Sequence, residues 1–522
     1  MFNQKTSYGL AVLSGILLLL SFPPFNLGGF LAWIAFVPLL IAVWREENLK
    51  RMGRLTLVAG LCLIPVWSWL YYEFSWLLPP ISSWLGLLCG IFIAGELYTE
   101  AVKEYWTPKN RPSGSLMYLP SGLQIIILPV FFTCGWFLML TIPVIMKFTG
   151  ALGFGSLAKT QWLNVPVIQM ASFTGMYGIT FLILLVNCAI AYGIIYYQEH
   201  RKVFKPSILA ILIFVLMLGW GWLSIPKPVT GDVTIVIIQA PPPEKGNIRD
   251  LYVNLSKEAT RFNPKAIVWT QWMMKGPSVN REQFASLSKE TDNHFIGLSE
   301  GFGLSVASPD GETGYSPCAY HYVNLVDEVI HSKWNKLLFP NIQPLDTEFG
   351  RVGPLMCMES SPTVPARQLA NNEVQLLTIL TGSLGFSFPG EIGGNAVYRA
   401  VENRKPVVLA CPRGSLIVDP YGRIMNDIST QDMVVGRIST SYEATFYTKY
   451  GDVFGWSIVG FAAILMIYDF YLKRRSPFMY CERCKAQIAK EVEICPECGR
   501  IPKESAWEKS DMGKLWRTIS RK

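Results

Sequence analysis

Charged residues are scarce in this chain, at 16% of 522, where an ordinary soluble protein carries roughly 25%. With 51% hydrophobic residues and a mean hydropathy of +0.29, a fold solvated along its whole length is excluded and a membrane is implied. Histidine is scarcer still, at four residues. His294, His321 and His331 have no ligand spacing, so they read as surface or strand residues rather than a metal centre. No internal repeat or low-complexity tract is present, which argues against a solenoid.

The apolar residues come in runs. A hydrocarbon core needs about 20 apolar residues per helix, and on that measure eight spans are expected: 8–22, 29–44, 56–72, 82–98, 121–146, 166–197, 207–224 and 454–472. The first run leads straight into others, unlike a cleaved signal peptide. Basic residues mark alternate loops: Arg45, Lys50, Arg51 and Arg54, then Lys103, Lys109 and Arg111, then Arg201, Lys202 and Lys205, and Lys473-Arg-Arg475 after the last run. Loops 23–28 and 72–82 carry none, whereas Lys147 and Lys159 run weakly the other way. The positive-inside rule then puts both termini in the cytoplasm and the stretch between the last two spans outside. The net charge of +8 is mostly this orientation signal, and nothing in it suggests nucleic acid. The expected units are a seven-span membrane domain over 1–224, an outward domain over 230–450, an eighth span over 454–472, a small unit over 478–502 and a charged tail over 503–522.

Within the outward stretch the hydrophobic period changes. The β-branched run 233–239, bounded by Gly231 and Pro241-Pro-Pro243, reads as a buried strand. Further strands are expected at 265–271, 295–298, 319–326, 352–357, 376–380, 407–411, 416–418 and 433–438, with helices near 247–262, 281–290, 362–371 and 395–403. Strands alternating with helices, then a run of strands, imply two packed sheets with helices outside.

The cysteines divide by location. Cys62, Cys89, Cys134 and Cys188 lie in or near apolar runs and read as buried core residues. At the C-terminus, Cys481-Glu-Arg-Cys484 and Cys495-Pro-Glu-Cys498 form paired CxxC turns. In a reducing cytoplasm such spacing favours one structural zinc ion held by four thiolates in a small ribbon. That closed shell leaves no open position for catalysis. The ribbon would serve stability or a cytoplasmic partner, and the tail carries Trp507 and Trp516, which suit a membrane surface.

Several motifs follow one another in order. Ser21-Phe-Pro-Pro-Phe25 precedes Leu31-Ala-Trp-Ile-Ala-Phe-Val-Pro-Leu39, and Gln169-Met-Ala-Ser-Phe-Thr-Gly-Met-Tyr-Gly178 precedes Asn187. Then come Arg351-Val-Gly-Pro-Leu-Met-Cys-Met-Glu359, Tyr398-Arg-Ala-Val-Glu-Asn-Arg-Lys-Pro406 and Asp419-Pro-Tyr-Gly-Arg423. In this order and topology the chain resembles the apolipoprotein N-acyltransferases, a membrane branch of the nitrilase (carbon-nitrogen hydrolase) superfamily. The resemblance implies a multi-pass helical membrane domain of eight spans carrying an extracytoplasmic nitrilase-like αββα sandwich, in a bacterial inner membrane. It also implies a Glu-Lys-Cys triad, with Cys357 as nucleophile, Lys336 as oxyanion stabiliser and position 271 as base. A phospholipid would donate the acyl chain and a lipoprotein would accept it, with no catalytic cofactor.

Departures cluster at that site. The family's Trp-Pro-Glu is Trp269-Thr-Gln271 here, and the stretch after the lysine reads Phe339-Pro-Asn-Ile342 without its carboxylate. The tyrosine beside the nucleophile is Met358, and an Asn-rich loop is replaced by Thr381-Gly-Ser-Leu-Gly-Phe386. A thiol near pKa ~8.5 needs a base to become nucleophilic, and glutamine cannot take the proton. Glu359, which also resembles a family position, and Glu300 are candidate substitutes. Two other functions compete with acyl transfer: a lipid- or lipoprotein-binding pseudoenzyme and a membrane-tethered amidase. Taken alone, Cys357 would be a buried structural thiol and Lys336 a solvated surface lysine.

Overall fold

The computed structural model describes residues 3–23, 29–46, 49–62, 124–141, 156–227, 231–241, 243, 246–270, 281–299, 303–317, 342–382, 388–412, 414–440, 443–475, 478–480 and 487–489. Apolar helices come first: α1 (Gln4–Ser21), α2 (Val37–Trp44), α3 (Leu49–Leu61), α4 (Gln124–Thr141), α5 (Ala171–His200) and α6 (Lys205–Leu223). Asn3 caps α1 by accepting from Thr6 N at 2.8 Å, satisfying one of the donors a helix start leaves open.

Among the described helices, α5 and α6 are long and apolar enough to cross a membrane. They match expected spans six and seven. Helix α5 is mostly buried at the centre, while α6 leaves Ile208, Leu209, Leu212 and Leu216 exposed along its flank. The span expected at 82–98 lies outside the described residues.

One expectation is corrected. Residues 29–44 do not form a continuous helix: a 3-10 turn (Gly29–Trp33) is followed by a bend and then α2. The buried Asn187 side chain accounts for the break, since it accepts from Phe36 N at 2.9 Å and donates to Ala32 O at 2.9 Å. An apolar interior tolerates interrupted backbone only where the freed groups are paired again. Helix α5 is interrupted too, at Gly175 (φ 62°). A Cβ there would fall 2.8 Å from the Tyr447 ring, so glycine is required both by backbone and by space.

From Val233 the chain builds two sheets. One has seven strands: β1 (Val233–Ile238), β2 (Ala266–Trp269), β3 (His294–Ser299), β4 (Gly303–Ala307), β5 (Thr313–Pro317), and, beyond β1, β11 (Met433–Ile438) and β10 (Asn426–Ser429), in the order β10-β11-β1-β2-β3-β4-β5. The other has four: β6 (Val352–Met356), β7 (Leu376–Leu380), β8 (Val407–Ala410) and β9 (Leu416–Val418). Strands β1–β2–β3 and β6–β7–β8 run parallel within their sheets.

Period-two alternation sorts even the continuous apolar runs into two faces. Val233, Ile235 and Ile237 meet Val352, Leu376, Leu380 and Val408 between the sheets. Val236 and Ile238 face outward onto α7 (Ile248–Ala259) and α8 (Arg281–Thr291) through Tyr252 and Phe284. On the far side, Leu377, Ile379 and Leu409 pack under α9 (Thr363–Asn371) and α10 (Phe388–Asn403), in a core continuous with the apolar helices. The αββα layering expected for the outward stretch is present. Helix α11 (Val453–Arg475) then returns to pack on α4.

The sequence reading omitted the β4–β5 hairpin and β10, and it began α10 seven residues late. The strand expected at 319–326 lies outside the described residues. Strands Phe478–Tyr480 and Gln487–Ala489 pair antiparallel. The first CxxC falls between them in sequence, but Cys481, Cys484, Cys495 and Cys498 lie outside the described residues, as does the tail after 489.

Candidate active site

Three parallel strands of the four-stranded sheet end at neighbouring positions. Met356 pairs with Leu380, and Leu380 with Ala410, so Cys357, Thr381 and Cys411 follow side by side at the carboxyl edge. That edge is where open α/β sheets bind ligands.

Cys357 leaves β6 with φ 42°, a left-handed backbone that costs a non-glycine residue ~1 kcal/mol or more. A one-turn 3-10 helix, Cys357–Ser360, follows. The turn is held from several sides. Glu359 is buried, and its Oε2 accepts from Met356 N at 2.7 Å. Ser360 Oγ donates to Cys357 O at 2.6 Å, and Asn395 Nδ2 on α10 donates to Ser361 Oγ at 3.1 Å. The half-buried thiol accepts from Thr381 Oγ1 at 3.3 Å. A hydroxyl donating to sulfur favours the thiolate over the thiol.

The expected site residues are only partly brought together. Cys357 and Glu359 share one turn. Gln271, Lys336 and Glu300 lie outside the described residues. The strand leading to position 271 is in place: Thr270 N donates to Ile238 O at 3.1 Å, and Thr270 Oγ1 bonds Tyr252 OH at 2.8 Å. Thr381 and Asn395 were missed as site residues. A Thr at a strand end and an Asn on a helix carry no chemical signature in sequence; the sheet register reveals the first and the packing of α10 on the turn the second. His294 opens β3, a strand residue as expected, and is buried, which pushes its imidazole below the usual range. Among the described residues no group of three or more His, Cys, Asp or Glu is placed to hold a metal.

Helix α10 links the thiol turn to the apolar helices through one buried polar face. Lys159 Nζ meets Glu391 at 3.1 Å, both side chains 1% exposed, and burial lowers the Lys159 pKa against the pull of Glu391. Tyr398 OH donates to Ala158 O at 2.5 Å. Arg399 pairs with Glu402 at 3.0 Å, and Glu402 Oε1 accepts from Met176 N at 3.0 Å, where α5 resumes after Gly175. Burial pushes Glu402 up to about 7, with Arg399 and the Met176 N–H opposing. Next to them Tyr447 OH donates to Asp452 at 2.5 Å, and burial raises the Asp452 pKa. Gln169 closes the junction, donating to Tyr421 O at 2.8 Å and accepting from Arg404 Nη1 at 2.8 Å.

Two facing sheets with helices outside, and a cysteine in left-handed backbone at the carboxyl edge of the parallel strands, make a nitrilase-like α/β fold. The sequence model of the apolipoprotein N-acyltransferase N-terminal domain matches residues 14–189, and that of the carbon-nitrogen hydrolase domain matches residues 304–445. The chain is 28% identical over 517 residues to an apolipoprotein N-acyltransferase of Geobacter metallireducens, covering 90% of this chain and 96% of the relative. A Thermotoga maritima protein of the same name is 25% identical over 506 residues, covering 87% and 92%. Among solved structures, an amidase from Nesterenkonia sp. is 17% identical, covering 41% of this chain and 93% of its own, with a TM-score of 0.32. Over most of its length the chain is therefore similar to the apolipoprotein N-acyltransferases.

Proposed function

We propose that the protein moves an acyl chain from a membrane phospholipid onto Cys357 and then onto the N-terminal amine of a lipoprotein. The observation that carries this reading is the Cys357 turn, with its left-handed backbone and the Thr381 hydroxyl on the sulfur. The thiolate attacks the ester carbonyl, the carbon–oxygen bond breaks, and the lysophospholipid leaves as its oxygen takes a proton. The acceptor amine then attacks the thioester, releasing the thiol and forming an amide. Lys336 would offset the charge on the tetrahedral oxygen.

Position 271 is the weak point of that cycle. Glutamine supplies hydrogen bonds but no base, which costs about 10²–10⁴-fold in rate. The Glu359 carboxylate already holds the Met356 N–H, so it supports the turn and is poorly placed to exchange protons. Gln271 therefore also favours a second reading, a lipid- or lipoprotein-binding protein without turnover. The eight spans, the outward αββα domain with cytoplasmic termini, the bacterial inner membrane, the unit boundaries and a structural zinc held by Cys481, Cys484, Cys495 and Cys498 belong to the same proposal. Four thiolates in paired CxxC turns suit that ion.

The test is acyl transfer from phospholipid vesicles to a synthetic diacylglyceryl-cysteine peptide with a free amine. Slow, Cys357-dependent transfer that Gln271→Glu raises by about 10²-fold supports the acyltransferase. Lipopeptide binding with no transfer, even by Gln271→Glu, supports the binding protein.

A further inference from the structure

Between α5, the end of α6, the Asp419–Arg423 turn and the segment before α11 lies a cavity of about 610 Å3. Arg404 forms its cationic wall. It sits just past the end of α10 with φ 49°, a backbone that disfavours a long side chain. Its guanidinium lies over the Tyr421 ring at 4.2 Å and donates through Nη1 to Gln169 Oε1 and Pro420 O, at 2.8 and 2.9 Å. Among the described residues Nε and Nη2 have no protein partner. Burial lowers Arg404 only to about 10, so it stays charged at neutral pH.

The other walls are aromatic. Phe173 packs against Trp220 at 5.4 Å and against Phe446 at 5.8 Å. Trp220 belongs to the last turn of α6, whose flank is apolar and exposed down to Trp222 and Leu223. Tryptophan and its neighbours at a helix end, with apolar surface below and polar groups above, match the layer where lipid headgroups meet hydrocarbon. Glu443, exposed, lies in the lining. The neighbouring Arg423 pairs with Asp419 at 2.5 Å; Asp419 also acts on Arg404 through space, and Glu443 is the carboxylate in the lining itself.

We propose that this cavity seats the phosphodiester headgroup of a membrane phospholipid. Nε and Nη2 of Arg404 take the phosphate, and the acyl chains run past Phe173, Trp220 and Phe446 onto the flank of α6. Glu443 opposes a second negative charge, which favours a singly charged phosphodiester over free phosphate. The site is separate from the thiol turn. Asn395 touches that turn, and nine helical residues place Arg404 roughly 13 Å further along α10. The proposal rests on the membrane placement given above but not on acyl transfer.

The test uses the full-length protein in detergent micelles, with Cys357→Ala throughout so that acylation cannot consume the probe. Dihexanoyl-phosphatidylglycerol, dihexanoylglycerol and inorganic phosphate are each titrated by calorimetry. One phosphatidylglycerol should bind per chain, about 10-fold more weakly after Arg404→Gln and several-fold more tightly after Glu443→Lys. Dihexanoylglycerol should not distinguish the variants, and phosphate should bind about 100-fold more weakly than the lipid. Arg404→Gln also frees Gln169, so a loss there alone is not decisive; the exposed Glu443→Lys reads the same charge without touching the junction. Phosphatidylglycerol binding unaltered by Glu443→Lys, or phosphate binding as tightly as the lipid, overturns the proposal. Failure of acyl transfer would appear only in Cys357-dependent rates and would leave these titrations unchanged.

Discussion

The two sides of the four-stranded sheet are built on opposite principles. Toward the seven-stranded sheet lie Val352, Leu376, Leu380 and Val408, a dry layer of interchangeable aliphatic groups. On the other side, beyond the layer under α10, lie Lys159, Glu391, Arg399 and Glu402, none more than 1% exposed, with Tyr398 and Asn395. An aliphatic layer stabilises through area and tolerates exchange at similar volume. Buried ion pairs bear a desolvation cost that their attraction only partly offsets, so they contribute less to stability than to a single geometry. Here that geometry fixes α10, and with it the Cys357 turn, against the broken helix α5. The aliphatic layer makes the fold, and the polar face sets where the fold meets the apolar helices.

Substitutions on the two sides sharpen that contrast. The largest effect is expected for Arg399→Met, which strands the Glu402 carboxylate at a cost of ~3–5 kcal/mol near pH 8, read as thermal unfolding in detergent. At pH 5 the cost shrinks because Glu402 takes up a proton. Leu376→Ala should cost ~2–5 kcal/mol at either pH; equal pH dependence in both variants would erase the distinction.

The protein itself should show the same titration. Glu402 rises from 4.5 to about 7 on burial, so the folded state binds this proton more tightly than the unfolded state. Its contribution is fully present below about pH 4.5 and is lost as pH rises through 7, on the order of 3 kcal/mol. Glu402→Gln should flatten the pH 5–8 slope of the unfolding temperature.

Smaller effects are expected at the thiol turn. Glu359→Gln keeps an oxygen for the Met356 N–H, so a supporting role predicts less than about 10-fold loss of transfer. A loss of 10²-fold or more would make Glu359 the base. Smallest is Thr381→Val, which removes the hydroxyl from sulfur; the pH profile of Cys357 alkylation should move a few tenths of a unit upward, with stability nearly unchanged.

Much of the aliphatic side was legible in the chain. Continuous β-branched runs such as 233–239 and 376–380 can hardly be anything but buried strands. The β4–β5 hairpin was not, because Ser305, Ser308, Gly314 and Ser316 dilute its pattern, although Asp310-Gly311 marks its turn. Pro317 is tolerated because β5 is an edge strand. The start of α10 hid behind Gly390, Gly393 and Gly394, poor helix formers kept small where Pro23, Trp162 and Lys159 approach.

The polar side was recognisable only as motif. Gln169, Gly175, Asn187, Tyr398 and Arg404 carried the family resemblance, but each also meets a residue more than 100 positions away. Arg399 and Glu402, three residues apart, look like a surface pair in sequence. Only the folded chain buries them. At the thiol, the family pattern singled out Cys357 and drew attention to Glu359, while Thr381 required the parallel register.

The central claim is that Cys357 carries an acyl chain, and intact mass tests it most directly. Purified protein incubated with phospholipid should gain the mass of one acyl group, labile to neutral hydroxylamine and absent in Cys357→Ala. An adduct that persists in Cys357→Ala, or none in either the protein or Gln271→Glu, would contradict the account.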